Sequence, residues 1–383
     1  MIKALFAYTE SIDDAEMAVQ EILEQLDIKN NLKQNTVAIM ACHYEFVNSG
    51  VVEAVCKSLP FDIIGTTTPS QAVSNAKGTL MLSLTVLTSD DVSFKTIITE
   101  SLLEEPAKVI KTTYTDKVTQ PPALIFAYAG FLIQNSGDEY VSTITEVSGG
   151  IPCFGTLAVD NTSDFAYSFM IYNGTVYRDR MGMILFYGDI NPRFKVANIS
   201  DNKIISKSAL ITKSAGHVLQ EVNGKPVAEY FEELGLTKAS EHNYAMTSLP
   251  FMIDYCDGTP KVSKVFVAMT EDKNALCAGI MPEGSALYIG VFDKDDVLLT
   301  TGNAVSEMLS ESNDISCVFM YSCIARNMTL GADYFGEIDL IAEKLGDIPF
   351  TIAYSGGEMC PTQVSDKSAI NRFHNNAFVL CAF

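Results

Sequence analysis

The sequence repeats one order of elements three times. Each copy has a short apolar strand, a helix, a second apolar strand, a bend of small residues and a further strand, and the first strands of the copies span 37–42, 123–128 and 317–323. Strands that are apolar without alternation are buried on both faces and need helices to cover them. Because hairpins accompany these strand–helix–strand units, the pattern predicts an α/β or α+β fold with mixed sheets in layers.

The copies differ in length, which argues against a solenoid of identical repeats. We expect two related halves, each with mixed sheets covered by helices, that pack as one body. The run 188–192 is rich in loop-forming residues, so we place an N-terminal region at 1–195 and a C-terminal region at 196–383. The pattern leaves open whether the three units join one sheet or two.

The middle of the chain departs from the repeat. Strands are predicted at 196–206 and 210–212. Asn223-Gly224 is a strong signal for a two-residue hairpin loop, and the helix that follows it is expected to end at Gly235.

Charge excludes several classes of partner. Among the 383 residues, 26 Lys and Arg stand against 47 Asp and Glu, which gives a net charge of −21. A surface this acidic repels phosphate, so we expect neither nucleic-acid binding nor docking to an anionic membrane. The start of the chain lacks the pattern of a signal peptide, and no apolar run is long enough to cross a bilayer.

Cysteine usage indicates a reducing compartment. The nine cysteines are scattered, without a C-x-x-C pair, and several lie in apolar runs. This is typical of reduced, buried thiols in a cytoplasmic protein. The four histidines, His43, His217, His242 and His374, are too far apart for metal-ligand spacing, and no cofactor motif is present, so we expect neither a metal nor a cofactor.

Small and polar residues gather where the repeated strands end. Backbone amides at such bends, with glycines that let a ligand approach, commonly line small-molecule clefts in α/β sheets. Each bend taken alone is also consistent with an ordinary turn. The candidate ligand-binding residues are Gly65, Thr66, Gly155, Asp160, Cys323, Arg326, Gly356, Gly357, Glu358, His374 and Asn375.

Two of these side chains predict a charged ligand. Arg326 follows an apolar strand in a chain poor in cations, and its guanidinium matches a carboxylate or a phosphate. An ion pair with Glu337 or Glu358 is the alternative. Glu358 could hold an ammonium group or be a solvated carboxylate.

Cys323 leaves a second function open. It is either a packed thiol or a reactive nucleophile with a pKa lowered by Arg326 and His374. With His374 and Asp160 it would form the catalytic set of a hydrolase or transferase. A third possibility is a partner-binding scaffold without a ligand, which would expose a large apolar patch.

Several stretches together resemble the FIST domain family (F-box and intracellular signal transduction), over nearly the whole chain. Residues 62–68 are similar to a family bend in which a hydrophobic pair precedes Gly, and 154–161 are similar to its Gly-Gly-x-Ala-x-Asp element. The run 322–326 resembles its Ser-Cys-x-x-Arg element, and the closing Gly-Glu and His-Asn pieces match 357–358 and 374–375. Phe154 and Asn327 depart from the pattern, and both departures alter the lining of the pocket.

The resemblance implies a sensory module that binds small molecules such as amino acids or their relatives. Family members often carry a fused signalling domain, whereas two FIST regions account for this chain. We therefore expect a stand-alone, bacterial-type member that passes its signal to a separate protein.

Overall fold

A computed structural model describes residues 2–132, 135–162, 164–236, 249–311, 314–365 and 368–383. Within these ranges the chain forms mixed α/β layers, which confirms the predicted fold class. The three predicted units are present, and each forms a sheet of its own.

The first unit builds the first sheet. Its elements are β1 (Lys3–Thr9), α1 (Ala15–Leu26), α2 (Ile28–Asn31), β2 (Asn35–Cys42), α3 (Glu45–Asn48), α4 (Val51–Ser58), β3 (Asp62–Thr67), β4 (Gln71–Val73), β5 (Ala76–Gly78) and β6 (Leu82–Ser89). Four of its strands pair in the order β1–β6–β2–β3, with β2 and β3 parallel. A strand–helix–strand connection produces this parallel pair, as the repeat predicts.

Helix α1 shows how local sequence sets these elements. The Asp14 side chain accepts a hydrogen bond from the Met17 N–H at 2.9 Å and caps the helix. Ala18, Ile22 and Leu26 recur on one face and are buried. The helix therefore covers one side of the sheet.

The second unit repeats this order. Its elements are β7 (Ser93–Ile98), α5 (Pro106–Lys117), β8 (Leu124–Ala129), α6 (Gly137–Ser148), β9 (Cys153–Leu157), β10 (Met170–Tyr172), β11 (Thr175–Tyr177) and β12 (Met181–Tyr187). The strands pair as β7–β12–β8–β9, with β8 and β9 parallel.

The third unit is the C-terminal copy. It comprises β13 (Arg193–Ala197), α8 (Lys294–Glu311), β22 (Val318–Cys323), α9 (Ile324–Leu330), α10 (Gly336–Leu345), β23 (Phe350–Ser355), β24 (Glu358–Val364), β25 (Ala369–His374) and β26 (Phe378–Ala382). The strands pair as β13–β26–β22–β23, with β22 and β23 parallel.

Each unit donates its hairpin to the sheet of another unit. Strands β10 and β11 extend the first sheet beside β3, β24 and β25 extend the second beside β9, and β4 and β5 extend the third beside β23. These exchanges close a ring. The first unit adds its hairpin to the third sheet, the second unit adds its hairpin to the first sheet, and the third unit adds its hairpin to the second sheet. The three sheets consequently hold one another through backbone hydrogen bonds.

The ring of sheets encloses a packed interior. One apolar cluster contains residues of all three sheets, including Ile64, Phe126, Phe154 and Tyr321. The Tyr321 hydroxyl donates to the Tyr128 hydroxyl at 3.0 Å, which satisfies both buried groups. The centre is thus filled by side chains.

An inserted β structure separates β13 from α8. It contains a short 3₁₀ helix (Asp201–Lys203), β14 (Ala209–Ala215), β15 (Val218–Val222), β16 (Lys225–Pro226), α7 (Val227–Glu233), β17 (Phe251–Asp254), β18 (Val262–Lys264), β19 (Phe266–Met269), β20 (Ala275–Cys277) and β21 (Ala286–Ile289). Its strands follow the order β18–β17–β21–β14–β15–β20–β19, and β16 pairs with β15. We call these strands the inserted sheet.

The predictions in this region are confirmed with one exception. The strand predicted at 210–212 lies within β14, and α7 ends just before Gly235. Asn223 and Gly224 take φ values of 55° and 75° between β15 and β16, as a two-residue hairpin loop requires. The strand predicted at 196–206 is wrong, because β13 ends at Ala197 and the polar run that follows forms the 3₁₀ helix. Among the described residues, every helix is too short or too polar to span a bilayer.

Candidate functional site

The bends after the parallel strands of the three units meet at one end of the ring of sheets. Each pair of units shares a hydrogen bond there: Val159 N–H to Thr67 O at 3.2 Å, Thr68 hydroxyl to Tyr354 O at 2.8 Å, and Gly356 N–H to Leu157 O at 3.0 Å. We call these six residues the strand-end face. Segments far apart in the sequence therefore converge, as the strand-end pattern predicts.

Glu358 is the most unusual side chain beside this face. It is fully buried at the start of β24, and its Oε1 accepts from the Ser355 hydroxyl, whereas Oε2 has no hydrogen-bond partner among the described residues. Burial raises the pKa of this carboxyl well above its ordinary value, and the Ser355 hydroxyl and the Arg326 guanidinium oppose the shift only in part. Burial therefore favours the protonated form of the Glu358 carboxyl, and its Oε2 is unused among the described residues.

His374 lies opposite Glu358 in the register of β24 and β25 and is also fully buried. Its Nε2 is 3.2 Å from the Cys360 carbonyl oxygen, so Nε2 carries the proton and Nδ1 is an acceptor that no donor meets in the part of the chain that the structure describes. Burial lowers the pKa of the imidazole to about 3, and the charge of Lys264 adds to the shift. The ring is therefore neutral.

Further buried polar atoms without partners lie nearby. Asn375 donates its N–H to the Ser263 carbonyl oxygen of the inserted sheet at 3.0 Å, while its Oδ1 meets no donor. The Ser263 hydroxyl also has no partner among the described residues. Buried polar atoms are nearly always satisfied in native proteins, so a group of unpaired ones marks a place for water or a ligand.

Arg326 is bound by side chains of the protein itself, while its Nη1 has no partner among the described residues, and its role in holding a ligand stays a prediction. It is fully buried among α8, α9 and α10, where Nε donates to Glu337 Oε1 at 3.0 Å and Nη2 donates to the Thr301 hydroxyl at 2.7 Å and the Val297 carbonyl at 2.9 Å. Ser322 donates to the other Glu337 oxygen at 2.7 Å. The protein's own carboxylate thus matches the guanidinium, which is the alternative that the sequence left open.

The three members of the possible catalytic set have separate partners. Asp160 accepts from the Tyr167 N–H and the Ser168 hydroxyl, both at 2.8 Å, and so orders its own loop. His374 is engaged as described above. Burial and the neighbouring Glu358 raise the pKa of the Cys323 thiol, and the Arg326 charge offsets little of this. Cys323 is consequently a packed thiol rather than a thiolate, which disfavours the nucleophile hypothesis.

The predicted glycines Gly65 and Gly155 lie where a neighbouring backbone comes too close for a Cβ atom. A Cβ at Gly65 would lie 1.9 Å from the Met40 carbonyl oxygen, and one at Gly155 would lie 1.9 Å from that of Ala127. Both are inside strands, as is Thr66, which is paired with β2. Their role as ligand contacts stays a prediction.

Gly356 and Gly357 do lie at a bend. A Cβ there would come within 2.7 Å of the Ala158 carbonyl oxygen and 2.2 Å of the Phe373 ring, respectively. A cavity of about 20 Å³ lies beside this bend, lined by Phe131, Leu157, His217 and Cys277 among others. That volume holds roughly one water molecule.

An ion pair that the sequence did not reveal docks the inserted sheet here. The fully buried Lys264 ammonium donates to Asp138 Oδ1 at 2.7 Å and to the Phe373 carbonyl at 2.8 Å. The Ile280 N–H donates to Asp138 Oδ2 at 2.8 Å. In the sequence, Asp138 has the position of an acid at the start of a helix. The one signal of this ion pair is that Lys264 lies within a mostly apolar run.

Family comparison decides the identity. The FIST N domain matches residues 36–225, and the FIST C domain matches residues 226–361. The chain belongs to the FIST family. The two domains of this FIST protein meet at the hairpin before α7, inside the insertion, and the division at 195 stays a prediction. His242 lies outside the described residues.

Solved structures are only distantly similar to this FIST protein. Cyanuric acid hydrolase from A. caulinodans is 8% identical, with a TM-score of 0.37 over 100% of this chain and 99% of that chain. A second cyanuric acid hydrolase structure is 9% identical, with a TM-score of 0.34 over 100% and 98%. Likeness this weak carries no argument about activity. No curated protein matches the sequence significantly.

Proposed function

We propose that this FIST protein is a small-molecule sensor whose ligand is an amino acid or a related metabolite. FIST domains are associated with sensory signalling, which supports the general class. The observation that carries the proposal is the meeting of three strand-end bends around buried polar atoms that have no partners.

The chemistry of those atoms selects the ligand. His374 Nδ1 and Asn375 Oδ1 are acceptors, and Glu358 Oε2 becomes an acceptor once the carboxyl loses its proton, so the missing partner is rich in N–H donors. An ammonium group fits best, because a cation close to Glu358 would lower the pKa of its carboxyl and ionise it. Arg326 then acts indirectly, by holding α9 and the end of β22 in place.

The inserted sheet governs access in this proposal. Glu358 and His374 are fully buried, and the inserted sheet docks next to them through Ser263 and Lys264. Ligand entry therefore requires this contact to open, and a bound ligand would close it again. Such a change in docking could be read by a separate signalling protein in the cytoplasm.

A thermal-shift screen with amino acids and small amines tests the proposal. A ligand at about 100 times its Kd stabilises the folded state by about 2.7 kcal/mol, which is easily detected. Calorimetry of a compound that binds, in two buffers of different ionisation enthalpy, should show close to one proton released per ammonium bound, because Glu358 ionises.

Glu358→Gln keeps the side-chain shape and removes the ionisable proton, so proton release should disappear and affinity should fall. Glu53→Gln, at an exposed helix position, is the matched control. The proposal fails if no compound shifts the melting temperature, or if Glu358→Gln leaves both affinity and proton release unchanged.

A further inference from the structure

A second cavity lies at the opposite end of the ring of sheets, where consecutive units join. Its volume is about 260 Å³. The lining comes from Ile2 before β1, Val92 between β6 and β7, Asp189, Ile190 and Asn191 between β12 and β13, Arg193 in β13, Asp314 and Ser316 before β22, and Phe383 after β26. All three units contribute, so the cavity lies between the three sheets.

This cavity is separate from the strand-end face. Ser316 precedes β22 and Cys323 ends it, and at about 3.3 Å per residue the two ends of that strand region are roughly 20 Å apart. A ligand here would therefore bind independently of one beside Glu358.

Arg193 gives the cavity its chemistry. It is half-buried, and it forms no ion pair and no side-chain hydrogen bond within the described part of the chain. Other cations in this acidic chain are used, for example Lys195, which pairs with Glu311 two positions further along β13. An unpaired guanidinium on a cavity wall is suited to a planar anion that can accept two parallel hydrogen bonds.

The other residues that line the cavity restrict which anions can bind beside Arg193. Ile2, Val92, Ile190 and Phe383 supply an apolar surface opposite the polar residues. Asp189 is exposed and unpaired among the described residues, and Asp314 lines the same cavity, so the charges of these two carboxylates disfavour a ligand with two or more negative charges. The volume suits a molecule of roughly ten non-hydrogen atoms.

We infer that this cavity is a second ligand site, which binds a small monocarboxylate with an apolar body. The carboxylate lies against the Arg193 guanidinium, and the apolar body covers the Phe383 ring and its aliphatic neighbours. Ser316 and Asn191 complete the polar contacts.

Calorimetric titration of the full chain with benzoate tests this site, with inorganic phosphate as the doubly charged comparison. Benzoate should bind and phosphate should not. Arg193→Gln should weaken benzoate binding at least tenfold, the loss expected for a charge-assisted bidentate contact. Arg178→Gln, at an exposed position outside the cavity, should bind benzoate as the unmodified protein does.

Val92→Trp provides a second variant, because it fills the cavity without touching the charge. It should also abolish benzoate binding while the melting temperature shows that the chain remains folded. Absence of benzoate binding, equal binding of phosphate, or an affinity unchanged by Arg193→Gln would each overturn the inference.

Discussion

The contact between the inserted sheet and the α6 turn makes the sharpest test of this structure. Asp138→Asn preserves the shape of the side chain and removes the carboxylate that faces Lys264. The lysine side chain has no exposed surface, so its charge would stay buried with neutral acceptors only, namely the Phe373 carbonyl and the amide oxygen of the new side chain. Breaking a buried ion pair in this way costs about 3–5 kcal/mol.

That cost converts directly into opening of the docking contact. At about 1.4 kcal/mol per factor of ten, the open population should rise roughly 100- to 4,000-fold. Hydrogen exchange measured by mass spectrometry reports this at the amides that cross the contact, namely Asn375 to Ser263 and Ile280 to Asp138. Amides of β2 and β6 in the first sheet should keep their protection.

Two further variants separate the charge from the shape. Lys264→Met should cost less than Asp138→Asn, because Asp138 keeps the Ile280 N–H and its side chain is 11% exposed. The double variant should recover protection relative to Asp138→Asn alone, because it no longer contains a buried unmatched charge. Wild-type exchange in Asp138→Asn, or a double variant worse than Asp138→Asn, would refute the reasoning.

Three other outcomes are expected. The pKa of His374 is about 3 in the folded protein and near 6.5 in the unfolded chain, so below pH 6.5 the unfolded chain binds one more proton. The free energy of unfolding therefore falls by about 1.4 kcal/mol per pH unit from pH 6.5 down to pH 3. In His374→Gln the melting temperature should depend less steeply on pH over that range. Gly65→Ala should destabilise strongly or prevent folding, since its Cβ would lie 1.9 Å from the Met40 carbonyl oxygen, and equal denaturation midpoints would contradict this. Iodoacetamide at pH 8 should label the exposed Cys256 and leave Cys323 unmodified until the protein is unfolded; rapid native labelling of Cys323 would restore the nucleophile hypothesis.

The candidate site shows where reasoning from sequence works and where it stops. The bends after β3, β9 and β23 could be predicted to matter together, because parallel strands in repeated units carry their ends to one edge. The sequence offered Glu337 as one of two ion-pair partners for Arg326 but could not choose between an ion pair and a ligand, because Glu337 and Thr301 reach Arg326 from two different helices. The pairing depends on how those helices pack, which leaves no local pattern.

The sequence by itself determined the repeated units, α1, the Asn223-Gly224 hairpin and the burial of the short apolar strands. Each depends on interactions between residues close in the chain: side-chain periodicity, capping, and the backbone preferences of Asn and Gly. Only the tertiary structure decided the ring of exchanged hairpins, the docking of Lys264 on Asp138, and the cavity around Arg193. These join segments far apart in sequence, where many pairings are sterically possible and the free energy of the whole packed chain selects one.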